Sequence, residues 1–295
     1  MESVTVLDGG LGGEILRRLG APETGLWAAR ALIERPEVIT EVHDDFIRAG
    51  ARMITTNSYS TVPSYLGKEG LAEHYKALTA QAGQIARSCA DKSRETVIVA
   101  GAVPPLGESY RPDLVPPADV AAPILEGMVE ALTPHVDCFL CETMSSIAES
   151  VQTAKVALES GKPVFVSWTL NEAPGAGLRS GESVLAALAA LEPLPLAGYL
   201  LNCTHPDAIE AALKELSPQT SRPLGAYPNR FDVPAGWTLD NDIDVVVRPS
   251  GTDYFVERSK ACIEAGATII GGCCGVGPAD IAALSAAVSS PGPSC

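Results

Sequence analysis

The 295-residue sequence has few aromatic residues, a deficit of positive charge and no long hydrophobic run. Aromatic residues make up only 5 % of the chain, so the 46 % of hydrophobic residues are mostly small or aliphatic, as expected for buried strands covered by Ala-rich helices. A net charge of −15 and a pI near 4.7 disfavour nucleic acids and anionic membranes as partners, because both require a basic surface.

Signals for export or membrane insertion are also absent from the sequence. Residues 1–8 have neither the basic start nor the long apolar stretch of a signal peptide, and no run of about 18 apolar residues predicts a transmembrane helix. We therefore expect a cytoplasmic protein with reduced thiols. Eight cysteines are too sparse for a disulfide framework and are expected to be buried, metal-binding or catalytic.

Short β-rich runs alternate with longer Ala-rich amphipathic runs along the chain. This alternation predicts a parallel sheet, and eight repeats favour an α/β fold with a closed (β/α)8 TIM barrel over an open doubly wound sheet. No Pro/Gly/Ser-rich linker divides the chain, so we expect one domain over residues 1–288 and a flexible tail over residues 289–295. The predicted strands are Val4–Asp8, Met53–Asn57, Thr96–Val103, Cys138–Thr143, Pro163–Leu170, Gly198–Cys203, Leu224–Asn229 and Thr268–Gly272.

Polar residues recur at the C-terminal ends of these strands. In a barrel the strand ends converge on one mouth, which is the face that carries active sites. Two long loops, 171–182 and 230–253, follow strands and are therefore predicted lids over that mouth. The polar residues at strand ends are Asp8, Asn57, Glu142, Cys203, Asn229 and Cys273.

Three cysteines at these strand ends predict a zinc site. Residues 271–275 read Gly-Gly-Cys-Cys-Gly, and Cys203 ends another strand. Adjacent cysteines rarely bond to each other, because the ring would be strained, so Cys273 and Cys274 suit a shared metal. Three ligands leave the fourth position of Zn²⁺ open, as in catalytic sites. Three thiolates also make the ion better suited to an incoming thiol than to water, which predicts thiol alkylation.

Several other residues have simpler interpretations. Burial as a small hydrophobic residue is the alternative for any of the cysteines. His205 could compete as a metal ligand, although we favour a structural role. Asn57 and Asn202 could orient loops or cap turns. The cysteines for which we expect simple burial are Cys89, Cys138, Cys141 and Cys262.

The motifs resemble those of the homocysteine S-methyltransferase family, and the resemblance covers nearly the whole chain. It implies a zinc-binding barrel that methylates homocysteine to methionine, with Cys203, Cys273 and Cys274 as ligands. The motifs that carry it are Leu7-Asp8-Gly9-Gly10, Thr55-Thr56-Asn57-Ser58-Tyr59, Glu142-Thr143, Asn202-Cys203 and Gly271-Gly272-Cys273-Cys274-Gly275.

Three methyl donors occur in the family that the chain resembles. The branch that uses methylfolate and cobalamin needs further modules, for which this chain has no room. Residues 25–29, with Arg35-Pro36-Glu37 and Val42-His43, look most like the branch that uses S-methylmethionine. The alternatives are betaine or another donor, selenocysteine as acceptor, or a zinc- and thiol-binding protein without turnover. A long dimerising C-terminal extension is absent, which weakly favours a monomer.

Two carboxylates at strand ends are suited to the amino acid part of the substrate. Asp8 and Glu142 are predicted on opposite sides of the mouth, where they could bind an ammonium group, and the family resemblance agrees. The glycines of segment 9–13, above all Gly9 and Gly10, could offer backbone N–H groups to the substrate carboxylate. A tight turn is the alternative for these glycines.

Two aromatic residues are candidates for the donor pocket. Trp27 and Tyr59 align with aromatic donor-site positions of the betaine branch, and aromatic faces attract a sulfonium or quaternary ammonium by about 0.5–2 kcal/mol per contact. Core packing is the alternative. Trp237 and Tyr254, which follow the seventh strand, are weaker candidates.

Overall fold

The computed structural model describes residues 4–20, 26–234, 246–247 and 251–289. Each of the eight predicted strands overlaps an observed one, although the observed strands are mostly shorter. The strands are β1 (Thr5–Val6), β2 (Met53–Thr55), β3 (Ile98–Val103), β4 (Cys138–Met144), β5 (Val164–Trp168), β6 (Gly198–Asn202), β7 (Leu224–Tyr227), β8 (Phe231–Asp232), β9 (Val246–Val247) and β10 (Ala267–Ile270).

Eight of these strands form a parallel barrel. Their order is β1-β10-β7-β6-β5-β4-β3-β2, and every neighbouring pair is parallel. The two ends of this order meet at a parallel bridge between Leu7 and Met53, beside hydrogen bonds from Asp8 N to Met53 O (3.0 Å) and from Arg52 N to Val6 O (2.8 Å). The predicted (β/α)8 barrel is confirmed. Strands β8 and β9 form a separate antiparallel pair.

Helices connect the barrel strands and cover their outer faces. None of the helices in the described ranges is both long and apolar enough to cross a membrane. Short 3₁₀ turns occupy Gly67–Glu69, Ala72–His74 and Pro112–Leu114. The α-helices are α1 (Leu11–Leu19), α2 (Ala29–Glu34), α3 (Pro36–Arg48), α4 (Pro63–Leu66), α5 (Tyr75–Lys92), α6 (Ala118–Leu132), α7 (Ile147–Leu158), α8 (Val184–Leu191), α9 (Pro206–Leu216), α10 (Thr252–Glu264) and α11 (Pro278–Ser289).

Side chains of the barrel strands alternate between two apolar clusters. Along β4, Leu140 belongs to the smaller cluster, whereas its neighbours Phe139 and Cys141 belong to the larger one that includes the helices. This two-residue alternation is the pattern of a filled barrel interior within an outer helical layer. The interior cluster underlies the mouth and supports the residues at the strand ends. Its buried members are Leu7, Met53, Ala100, Cys138, Leu140, Leu200, Tyr227 and Ile269.

The start of α7 fixes the segment that follows β4. Ser146 is the N-cap, and its hydroxyl accepts a hydrogen bond from Glu149 N (3.2 Å). The Glu149 carboxylate in turn accepts bonds from Ser145 N (2.7 Å) and Ser145 Oγ (2.8 Å). This reciprocal arrangement resembles a capping box shifted by one residue. Burial raises the pKa of Glu149 to about 7.

Candidate active site

Three cysteines meet at the mouth of the barrel. Cys203 directly follows β6, and Cys273 and Cys274 follow β10. Their Sγ atoms all lie within 4.8 Å of one another. The sulfurs of Cys203 and Cys273 are in direct contact as a disulfide pair, whereas Cys274 is free. The sequence predicts three thiols, so metal binding by all three requires this pair to be reduced.

The backbone of the cysteine segment is held by the chain that follows β7. Cys273 N donates to Pro228 O (2.9 Å), and Cys274 N donates to the side-chain oxygen of Asn229 (3.2 Å). Arg230 N donates to Cys274 O (3.0 Å). These bonds fix Cys273 and Cys274 against a second strand end, which is why two adjacent residues can both present sulfur to Cys203.

When Cys203 and Cys273 are reduced, the three cysteine sulfurs are suitable ligands for zinc. Three thiolates from two strand ends, with no fourth protein ligand among the residues that the structure describes, match a catalytic rather than a structural zinc site. His205 does not join them: its Nδ1 accepts a hydrogen bond from Asp207 N (3.1 Å) at the start of α9. The structural role favoured for His205 is confirmed. Cys89, Cys138, Cys141 and Cys262 are buried, as predicted.

Two buried carboxyl groups lie in the same mouth. Asp8 is 1 % exposed and accepts hydrogen bonds from Thr55 N (2.8 Å) and Thr55 Oγ1 (3.1 Å). Glu142 is 8 % exposed and accepts a bond from Tyr227 OH (3.4 Å). Burial raises the pKa of Asp8 to about 7, and burial together with the nearby Asp8 raises that of Glu142 to about 8. A cation between them would stabilise both as carboxylates.

Asn202 links Glu142 to the cysteine cluster. Its side-chain oxygen accepts from Thr143 N (3.1 Å), and its Nδ2 donates to Thr143 Oγ1 (2.8 Å). Ser167 Oγ also donates to the Asn202 oxygen (2.7 Å). Since Thr143 follows Glu142 and Cys203 follows Asn202, this bidentate contact sets the spacing between the Glu142 carboxyl and the Cys203 sulfur.

An aromatic pair forms another wall. The rings of Trp27 and Tyr59 meet edge to face with centroids 6.2 Å apart. Asn57 Nδ2 donates to Ala28 O (3.1 Å), so Asn57 orients the Trp27 segment. A Cβ atom at Gly12 would lie 2.2 Å from the Trp27 ring, which explains a glycine in the first turn of α1. Segment 9–13 combines both predicted roles: Leu11 N donates to Gly9 O (2.8 Å) in a tight turn, and Gly12 and Gly13 lie in the first turn of α1.

One cavity is lined by the three cysteines, both carboxyl groups and the aromatic pair. Four non-glycine residues of the described chain have positive φ, and all four line it. Such backbone strain persists where the surroundings enforce it and is concentrated at functional sites. The strained residues are Trp27, Tyr110, Thr143 and Cys203. The predicted site residues that line the cavity are Asp8, Gly9, Gly10, Trp27, Asn57, Tyr59, Glu142, Cys203, Cys273 and Cys274.

Comparisons with known proteins assign this site to a family. The family model described as Homocysteine S-methyltransferase matches residues 5–288. The chain belongs to the homocysteine S-methyltransferase family. The Homocysteine S-methyltransferase of Escherichia coli (strain K12) is 32 % identical over 312 residues, which cover 97 % of this chain and 95 % of that protein. The Selenocysteine Se-methyltransferase of Brassica oleracea var. italica is 28 % identical and covers 95 % of this chain and 87 % of its own length.

Solved structures of the homocysteine methyltransferase MmuM from Escherichia coli agree with this assignment. The metallated form is 30 % identical with a TM-score of 0.80, and covers 97 % of this chain and 96 % of that one. The oxidised form is 30 % identical with a TM-score of 0.81, and covers 96 % of this chain and 95 % of that one. The present chain is thus a methyltransferase with the barrel of its family.

Several residues of this methyltransferase's cavity are not evident from the sequence. Tyr110 and Ser109 lie in the connection after β3, away from any strand end, and Ser109 Oγ is 2.7 Å from Tyr59 OH. Tyr227 is the last residue of β7, and its place in the cavity becomes evident from its contact with Glu142. Tyr254 was a weaker candidate, but it lies in α10 and does not line the cavity.

Two further predictions are only partly covered by the described residues. Trp237 and most of segment 230–253 lie outside them, as does the tail from residue 290. Loop 171–182 is described, and Leu170 and Leu178 form an antiparallel bridge across it. Asn171 Nδ2 also donates to Leu178 O (2.7 Å). The lid function of both loops stays a prediction.

Proposed function

We propose that this methyltransferase moves a methyl group from a small onium donor, with S-methylmethionine favoured, to the sulfur of homocysteine. The product is methionine, and Cys203, Cys273 and Cys274 hold Zn²⁺. The observation that carries the proposal is the presence of a three-sulfur cluster, a buried carboxyl pair and an aromatic pair in one cavity. Each of the three matches a different chemical part of the reaction.

The cysteines supply the thiol-activating end of the site. Bound Zn²⁺ would lower the pKa of the homocysteine thiol and hold its sulfur near the donor. Cys203 and Cys273 must be reduced for this purpose, so we propose that the protein works in a reducing compartment such as the cytoplasm. Asn202, through Thr143, sets the distance from this end of the cavity to Glu142.

The carboxyl pair binds the amino acid part of homocysteine. Asp8 and Glu142 are acceptors for the ammonium group of homocysteine, and a bound ammonium would offset the burial that raises their pKa values. The N–H of Gly10 is not available for the substrate carboxylate, because it donates to Val276 O (2.8 Å). The N–H groups of Gly12 and Gly13 in the first turn of α1 suit that carboxylate instead, since a helix leaves its first N–H groups without partners within the helix. Together these groups match a zwitterion.

The aromatic pair binds the methyl donor at its own end of the cavity. The methyl group is then transferred in line from the donor to the homocysteine sulfur. The homocysteine thiol proton is released to solvent, and its sulfur attacks the donor methyl carbon. A new S–C bond forms as the S–CH₃ bond of S-methylmethionine breaks, and that electron pair returns to the donor sulfur. Methionine leaves as a neutral thioether, so the cavity needs no acid to protonate it. Trp27 and Tyr59 favour the cation before transfer and release the neutral product afterwards.

Selenol acceptors are a second proposed substrate class. The relative named Selenocysteine Se-methyltransferase supports this extension. A soft thiolate-rich metal accepts selenium as readily as sulfur, and selenocysteine carries the same ammonium and carboxylate groups. Competition between homocysteine and selenocysteine for one active site would test it. Additive rates at saturating concentrations of both would argue against a shared site.

A donor panel tests the proposal. Reduced, zinc-reconstituted protein is incubated with homocysteine and, separately, S-methylmethionine, S-adenosylmethionine, betaine, dimethylsulfoniopropionate or methylfolate, and methionine is measured by mass spectrometry. We expect the highest rate with S-methylmethionine. Activity with methylfolate alone would refute the donor assignment. Cys274→Ser should abolish turnover, whereas Cys262→Ala, a change in a buried cysteine of α10, should retain it.

A further inference from the structure

Tyr110 lines the cavity that holds the cysteine cluster and the aromatic pair, although it does not lie at a strand end. It lines the same cavity as Trp27 and Tyr59 and has a left-handed backbone, with φ 64°. Burial raises the pKa of its hydroxyl well above the usual value, and the neighbouring Cys274 and Tyr59 add to this effect. Tyr110 thus shares one cavity with both the cysteine cluster and the aromatic pair.

A buried cation holds the Tyr110 ring in place. The guanidinium carbon of Arg179 lies 4.9 Å from the ring centroid, within the range of a cation–π contact. The Arg179 side chain is only 9 % exposed and pairs with Glu172 at 2.7 Å. Arg179 comes from the loop after β5 and Tyr110 from the loop after β3, so this contact joins two loops above the mouth.

Glu172 anchors that cation to two more loops. Its Oε2 accepts a hydrogen bond from His205 N (2.8 Å), two residues beyond Cys203. Its Oε1 accepts from Val233 N (3.3 Å), in the segment after β7. One carboxylate thus ties the loops after β5, β6 and β7 together, and Arg179 extends the tie to Tyr110.

We propose that Tyr110 is a third aromatic wall of the methyl-donor site, and that Arg179, anchored by Glu172, is a positioning residue for it. This inference rests on the proposed function and specifies its donor site. The donor methyl must reach the sulfur cluster from the Trp27–Tyr59 pair, and Tyr110 lines the cavity that contains both. A ring there attracts an onium cation, whereas a neutral product gains less.

Kinetics of two Tyr110 variants test the inference. Tyr110→Leu removes the ring, so KM for S-methylmethionine should rise about 2- to 30-fold, the range of one cation–π contact. Tyr110→Phe keeps the ring and should stay within about 2-fold of the natural protein. KM for homocysteine should change little in either variant. Equal rises in both KM values, or no rise for the donor, would overturn the inference.

Arg179 variants separate positioning from folding. Arg179→Met should raise KM for the donor with little change in KM for homocysteine, and Arg179→Lys should restore part of the loss. Arg222 offers a matched control, because its guanidinium carbon lies 5.7 Å from the Tyr199 ring at the other end of the strands. Arg222→Met should leave KM for the donor unchanged. The same rise in Arg222→Met would refute a local role of Arg179.

Binding without turnover distinguishes this inference from the proposed function. Calorimetry with zinc-loaded protein and S-methylmethionine, without homocysteine, should give weaker binding for Tyr110→Leu and not for Tyr110→Phe. Binding of this kind without methionine formation would refute the proposed function and still support the aromatic wall. Failure of the natural protein to bind S-methylmethionine, or equal binding by Tyr110→Leu, would refute the assignment of Tyr110 to the methyl-donor site.

Discussion

Glu142→Gln should weaken homocysteine binding far more than turnover. At about 4 Å and an effective dielectric constant of about 20, a carboxylate–ammonium pair is worth about 4 kcal/mol. Burial and the nearby Asp8 raise the pKa of Glu142 to about 8, so ionising it at pH 7 costs about 1.4 kcal/mol. The difference is about 2.6 kcal/mol, which corresponds to a rise of about 100-fold in the Kd for homocysteine.

The assay is calorimetric titration of homocysteine into reduced, zinc-loaded protein at pH 7, followed by initial rates with S-methylmethionine. Glu149→Gln is a matched control, because Glu149 is a second buried carboxyl with a raised pKa but does not line the cavity. Its Kd for homocysteine should be close to that of the natural protein.

Two results would refute the reasoning on Glu142. A change in Kd below about 5-fold would mean that this carboxyl does not pair with the substrate ammonium. A comparable loss in Glu149→Gln would mean that the effect spreads through the fold and not through direct contact. Retained binding with strongly reduced turnover would assign Glu142 to the chemical step instead.

Three further predictions follow from packing and burial. Gly12→Ala should raise KM for the donor about 2- to 30-fold, because its Cβ would displace Trp27, whereas Gly13→Ala, with open space at its Cβ, should not. His43 is fully buried without hydrogen-bond partners and its pKa falls to about 4, so the unfolded state binds more protons as pH falls below about 6.5. The unfolding free energy, measured by urea titration, should therefore fall by about 2 kcal/mol between pH 7 and pH 5 because of His43. An equal fall in His43→Leu would contradict this. The effect of Glu149 has the opposite sign, because its raised pKa stabilises the fold below about pH 4.5 and this stabilisation is lost as pH rises through 7. In Glu149→Gln the unfolding free energy should therefore change by about 2–3 kcal/mol less between pH 5 and 8 than in the natural protein. An unchanged pH dependence would be evidence against this.

The barrel and the cysteine cluster were predictable because each depends on a local pattern. Alternating apolar runs specify strands, and the position of Cys203 or Cys273 after such a run places it at the mouth. Helix starts are also marked in the sequence where a proline is the first helical residue, as in α9 (Pro206–Leu216) and α11 (Pro278–Ser289).

Features that depend on tertiary contact could not be read from the sequence. Gly12 and Gly13 are poor helix formers, yet both lie in α1. A glycine is needed at position 12 because a Cβ atom there would collide with the Trp27 ring, and this contact is not evident from the sequence. Tyr110 follows no strand directly, and its position depends on Arg179, which is distant in sequence. The paired sulfurs of Cys203 and Cys273 likewise reflect the approach of two strand ends and not any motif.

The role of zinc in methyl transfer is tested most directly by measuring bound zinc and methionine formation on the same samples of reduced protein. The samples are the natural protein, the protein stripped of metal by a chelator, and Cys274→Ser, each assayed with homocysteine and S-methylmethionine. We expect about one zinc per chain in the natural protein, with activity lost on removal of the metal and restored by zinc alone, and neither tight zinc binding nor turnover in Cys274→Ser. Full methionine formation by zinc-free protein, or by Cys274→Ser, would contradict it.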